Sequence, residues 1–130
     1  VRLWDLRKKA LLQTWEGHRG WVEAVLFTAD GRAALSGSRD GRVLKRDAGT
    51  GKVLAEMAPG SRVRALARAG TLLCAGGENG KATLWDPATG KQSGTLAGHA
   101  GAVNALATTP DGKRLVTASD DTTLLVWRLP

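Results

Sequence analysis

Two sets of polar residues in this sequence have the types that nucleophilic catalysts use. His18, Ser36 and Asp40 form one set, and His99, Thr117 and Asp121, with Trp127 nearby, form the other. A hydroxyl nucleophile, an imidazole base and an orienting carboxylate together suit acyl transfer. Their arrangement argues against that chemistry. The His-to-Asp spacing is 22 residues in both sets, and the second set lies 81 residues after the first. A catalytic centre gains nothing from being copied at a fixed interval, whereas a structural device built into each unit of a repeat must be. These residues are therefore expected to hold the fold, and no catalytic residue is assigned.

Other chemistry finds few candidates. The glycines fall in hairpin-type turns rather than between a strand and a helix, so no phosphate-cradling or dinucleotide loop is present. Cys74, His18 and His99 lie too far apart for metal-ligand spacing, and no metal or cofactor is expected. Asp120-Asp121 sits in a predicted turn. With one cysteine the chain forms no internal disulfide, which fits a reducing, cytoplasmic setting, and Cys74 reads as a small buried apolar residue. No apolar run approaches the roughly 18 residues of a membrane span, and no signal segment opens the chain. The first residue is Val1, so the chain is expected to be an excerpt or a processed piece.

The elements that position these residues are short. Seventeen glycines leave no gap for a good helix between residues 17 and 112. Turn signals recur at Asp30-Gly31, Asp40-Gly41, Asn79-Gly80 and Asp111-Gly112, about ten residues of strand-like sequence apart. Val1 to Glu16 lacks glycine and suits a helix by composition, but the repeat assigns it to strand. Gly17-His18 returns as Gly98-His99, and Asp30-Gly31 as Asp111-Gly112. Trp4-Asp5, Trp85-Asp86 and Trp127-Arg128, with Arg46-Asp47 in the remaining slot, follow at steps of 42, 39 and 42 residues. A period near 40 with these markers points to propeller blades.

On these residues the sequence resembles the WD-repeat family over nearly its whole length. The resemblance implies an all-β fold, a partial β-propeller of four-stranded antiparallel blades comprising about three WD repeats. Residues 1–15 would end a preceding blade, 21–57 and 62–97 would form complete blades, and 102–130 a blade lacking its outer strand. The middle unit is degenerate, with Ala58-Pro59 at the Gly-His position and a short loop expected at Ala67 to Ala69.

In that family the Asp holds the His, the His holds a hydroxyl, and the hydroxyl meets the Trp ring nitrogen. The residue types make physical sense: a buried indole N–H needs an acceptor, and a neutral imidazole accepts at one nitrogen while donating from the other. His18, Ser36 and Asp40, and His99, Thr117, Asp121 and Trp127, would be these structural tetrad members. Ser38 and Ser119 stay open as alternative hydroxyls. Arg46 stands in the first unit's Trp position, where a cation must be paired or exposed. Pro59, Ala75 and Asn79 occupy the second unit's positions, so no network is expected there, and Asn79 is expected only to tolerate a left-handed turn.

Seven net positive charges lie entirely in the first half: residues 1–70 carry 14 Lys/Arg against 7 Asp/Glu, and the remainder 5 against 5. The resemblance places Trp21, Arg39, Arg62, Arg64, Glu78 and Asp120 on a partner-binding face, with Arg64, Glu23 and Asn104 lying deeper, towards the channel. Aromatic and arginine residues are common interface anchors, and this cluster suits a protein or peptide partner that is acidic or phosphorylated. The expected function is that of a protein–protein interaction scaffold, a fragment of a larger propeller rather than an enzyme. The alternatives are an accessory propeller of a larger kinase or protease, and nucleic-acid or acidic-ligand binding through the basic half. Nucleic acid is the less favoured partner, and no membrane is expected. Completing strands would come from the rest of the chain or from another copy. In one such assembly two copies close six blades head to tail, residues 11–15 of each completing the other's last blade.

Overall fold

The computed structural model describes residues 1–130, which form thirteen strands and no helix. β1 (Arg2–Asp5) and β2 (Ala10–Thr14) make a two-stranded sheet. β3 (Val22–Phe27), β4 (Ala33–Ser38), β5 (Val43–Asp47) and β6 (Val53–Met57) make a four-stranded one. β7 (Val63–Ala69), β8 (Leu72–Gly77), β9 (Lys81–Asp86) and β10 (Lys91–Ala97) make another. β11 (Val103–Thr108), β12 (Arg114–Ser119) and β13 (Leu124–Arg128) form a sheet of three. Every pairing is antiparallel between sequence neighbours, the meander of propeller blades. With no helix at all, no helix is long and apolar enough to cross a membrane.

Apolar side chains between successive sheets hold the blades face to face. Leu35, Val43 and Met57 of the β3–β6 sheet pack with Val63, Leu73, Ala75 and Trp85 of the next. On the other face of that middle sheet, Ala67, Ala69, Cys74, Ala82 and Leu84 pack with Leu115 and Leu129. The middle sheet is thus covered on both sides, which is why β8 reads as an unbroken run, Leu-Leu-Cys-Ala-Gly-Gly, rather than an alternation. Two glycines make the inter-sheet contact close. A Cβ on Gly37 would lie 2.5 Å from Val63 Cγ1, and one on Gly76 would lie 2.9 Å from Val103 Cγ1. Both valines are fully buried against the preceding sheet.

Two expectations need correction. Ala67 to Ala69 is the end of β7, not a loop; the chain turns after it at Gly70, whose φ is +65°. The left-handed residue of the middle unit's tight turn is Gly80 (φ 78°), not Asn79. Asn79 instead accepts the Lys81 N–H at 3.1 Å through its side chain. In the last sheet the left-handed position falls to Thr122 (φ 71°), where the first and second have Gly41 and Gly80.

Candidate protein-interaction site

The two polar sets are built alike. His18 Nδ1 lies 3.0 Å from Asp40 Oδ2, and His18 Nε2 lies 2.8 Å from Ser36 Oγ. The matching distances at His99 are 2.8 Å to Asp121 and 2.7 Å to Thr117. Trp127 Nε1 then donates to Thr117 Oγ1 at 3.0 Å, completing a chain of four side chains. Because an ionised carboxylate only accepts, each Nδ1 carries the proton, and each hydroxyl donates to Nε2. Ser38 and Ser119 serve elsewhere: their hydroxyls accept the N–H of Asp40 and of Asp121 within the turns.

Both aspartates hold their protons weakly. Burial opposes ionisation of Asp40, but the N–H of Arg19, the His18 ring and the N–H and guanidinium of Arg42 outweigh it and keep its pKa well below the usual carboxylate range. At Asp121 the Thr123 hydroxyl has the largest effect, and the N–H groups of Ala100 and Thr123 and the His99 ring add to it against desolvation, again well below the usual range. Ser36 is 5% and Thr117 1% exposed, so both hydroxyls are buried. Burial likewise pushes the Cys74 thiol up to about 12.

The units that depart from the pattern use other partners. Arg46, in the Trp position, turns away from Ser36; Nη1 donates to the Gly51 carbonyl at 3.0 Å, and Nη2 donates to the Glu16 carbonyl. In the middle sheet the Trp85 indole N–H donates to Thr83 Oγ1 at 2.8 Å, two residues back on its own strand. Thr83 was not singled out above. Its signal is present, since the residues two before Arg46 and Trp127 are Leu44 and Leu125, and only the unit without a His has a hydroxyl there. Gln13 was also missed: its Oε1 accepts the Trp15 indole N–H at 2.6 Å while its amide reaches the Ala48 carbonyl at 3.4 Å, tying β2 to the β5–β6 turn.

The expected partner-binding residues gather near the starts of β3, β7 and β11 and in the turns after β4, β8 and β12. Trp21 is 70% exposed, and the Arg39 guanidinium stacks 4.5 Å from its ring centroid. Arg39 Nε donates to Glu23 at 2.6 Å. Glu78 receives both Arg62 (3.3 Å) and Arg64 (3.0 Å). Arg64 also donates to Asn104 Oδ1 at 3.1 Å, and Asn104 donates to Asp120. Trp21, Glu23, Arg39, Arg64 and Asn104 line one shallow recess. Over the wider face the charges balance: Arg39, Arg62 and Arg64 are matched in number by Glu23, Glu78 and Asp120, so the positive excess of the first half does not reside here.

The family described as "WD domain, G-beta repeat" matches residues 9–44 and 90–128, more than half of the chain. The chain belongs to the WD-repeat family. The intervening residues contain the WD-repeat unit that lacks both His and its partner Asp. Among curated WD-repeat relatives, the guanine nucleotide-binding protein subunit beta of Nicotiana tabacum is 34% identical over 98% of this chain. The nuclear distribution protein PAC1 of Coccidioides posadasii is 29% identical over 99% of it. The chain spans 37% and 32% of their respective lengths. Among solved structures, the computationally designed Ika4 protein superposes with a TM-score of 0.85 at 29% identity, covering 99% of this chain and 79% of that one.

Proposed function

We propose that this WD-repeat segment is a protein-interaction scaffold, one part of a larger propeller, whose binding face centres on Trp21 and Arg39. The observation that carries this reading is the exposed Trp21 indole with a guanidinium stacked on it at a rigid sheet end. Large rigid side chains that need little further ordering make effective anchors. A polypeptide is the partner this face favours. The balanced charges give an acidic or phosphorylated segment no general advantage, so any such preference must come from the Nη edge of Arg39, whose Nε is already held by Glu23. The alternative of nucleic-acid binding through the basic half gains no support from this face, where Arg39, Arg62 and Arg64 are engaged by carboxylates. The buried hydroxyls of the two polar sets favour a scaffold over an enzyme. Affinity purification with the unaltered protein and with a Trp21→Ala/Arg39→Ala variant tests the proposal. Proteins that co-purify specifically should be lost from the variant while its circular dichroism is unchanged. An identical set from both proteins would remove the face from consideration.

A further inference from the structure

The turns at the far ends of the inner strands, opposite the Trp21–Arg39 face, differ in length from sheet to sheet. Residues 28–32 connect β3 to β4 and residues 109–113 connect β11 to β12, whereas only Gly70 and Thr71 connect β7 to β8. The two longer turns are braced alike. Asp30 Oδ1 accepts the Thr28 hydroxyl at 2.6 Å and the Arg32 N–H at 3.0 Å. Asp111 Oδ1 accepts the Thr109 hydroxyl and, at 2.9 Å, the Lys113 N–H. The two-residue turn has no room for this device and reverses on Gly70 at φ +65° instead. The middle sheet therefore ends in a notch between two longer, braced turns. Floor and walls come from three consecutive sheets, so blades joined beyond the first or the last of them leave the notch in place.

A recess opens on each side of the notch floor. The one towards the last sheet, about 540 Å³, takes its polar lining from Arg68, Thr108, Thr109 and Asp111. The one towards the first sheet, about 320 Å³, is lined by Ala29, Leu72, Leu73 and Pro87 as well as by Arg68. Arg68 and Gly70 border both, so the Arg68 side chain stands between the two. Arg68 is exposed, and it has no part in the chain's ion pairs, whose cations are Arg39, Arg42, Arg62, Arg64 and the two histidines. Around it the charge is positive. Arg32 offsets Asp30 and Arg114 offsets Asp111, which leaves Lys113 and Arg68 without a counter-charge.

We propose that this notch binds an extended acidic segment of another protein, with an Asp or Glu carboxylate on the Arg68 guanidinium and a neighbouring apolar side chain in the recess formed by Ala29, Leu72 and Pro87. A guanidinium offers two parallel N–H donors, the geometry that a carboxylate matches. Lys113 on the wall adds attraction at longer range. No aromatic side chain lines either recess, so a nucleic-acid base finds nothing to stack on, and the apolar recess favours a polypeptide. The site is separate from the Trp21–Arg39 face, because β3 and β7 start at that face and end at this one.

Two labelled, C-terminally amidated peptide probes, Gly-Leu-Glu-Leu-Gly and Gly-Leu-Gln-Leu-Gly, titrated with the chain by fluorescence anisotropy, test this. The Glu probe should bind about tenfold more tightly than the Gln probe, the worth of one hydrogen-bonded charge pair. Arg68→Gln should erase the difference, and a Trp21→Ala/Arg39→Ala variant should keep it. Should Arg68→Gln fail a circular-dichroism check of its fold, Ala29→Glu, at an exposed position, should lower the preference by placing a like charge in the recess. Equal binding of the two probes, binding of neither, or a preference that survives these substitutions overturns the proposal. An oligothymidylate that binds more tightly than the Glu probe, and loses its affinity in Arg68→Gln, overturns it in favour of nucleic acid. Sedimentation showing a dimer that Arg68→Gln dissociates overturns it in favour of a second copy.

Discussion

Replacing Thr117 by valine probes the polar network directly, because the two side chains have the same shape and no cavity forms. The substitution removes the one hydroxyl that both accepts from Trp127 Nε1 (3.0 Å) and donates to His99 Nε2 (2.7 Å). The His99 side chain is 1% exposed, so its ring nitrogen cannot turn to water for a replacement partner. An orphaned buried polar group costs about 1–3 kcal/mol, and two are created, one of them on the partly exposed Trp127, so the expected cost is about 3 kcal/mol. Two other hydroxyls set the scale. Thr83→Val strands the Trp85 N–H and removes a long 3.4 Å bond to the Ala75 carbonyl, and Ser36→Ala strands only His18 Nε2, so each should cost about 1–2 kcal/mol. Urea unfolding followed by circular dichroism measures all three, with an unchanged m-value showing that the folded states are comparable. A double-mutant cycle isolates the indole bond: in a Trp127→Phe background, which has no ring N–H, Thr117→Val should cost about 1 kcal/mol less. If Thr117→Val costs no more than Ser36→Ala, the counting of stranded groups is wrong.

Two further outcomes are expected. Asp40 and Asp121 are held below their ordinary pKa of 3.8, so the stability they contribute is present above that value and is lost as pH falls below about 4; urea midpoints should drop along this limb, and an Asp40→Asn/Asp121→Asn variant should start lower and change less. Thr122→Gly should stabilise the chain by about 1 kcal/mol, measured by the same unfolding assay, because it relieves a β-branched residue of the left-handed conformation that Gly41 and Gly80 adopt without strain.

Much of this architecture was legible in the sequence because it depends on local signals that recur. Asp-Gly and Asn-Gly turns separate strands whatever surrounds them, and the 81-residue echo of His18, Ser36 and Asp40 in His99, Thr117 and Asp121 carries the repeat without any coordinate. The choice between Ser36 and Ser38 was not legible. Successive strand residues point to opposite faces, so both lie on one face, and only the pairing of β4 with β3 and β5 brings Ser36 rather than Ser38 to the His18 ring. Asn79 was misassigned because composition names the turn but not which of its residues takes positive φ.

The residues proposed to bind a partner divide in the same way. The family resemblance led to the expectation that Trp21, Arg39, Arg62, Arg64, Glu78 and Asp120 share one face, and the arginines among them suggested a cationic surface. Whether an arginine offers its charge or spends it on a neighbour depends on side chains that lie 14 to 40 residues away along the chain but adjacent across the sheets. The sequence by itself determined the strands, their turns and the repeating network, because each follows from residue type and local spacing. Only the tertiary structure decided which charges cancel and which remain, as the Arg39–Glu23 and Arg64–Glu78 pairs and the unpaired Arg68 show, because electrostatic energy depends on distance in space, which the fold sets.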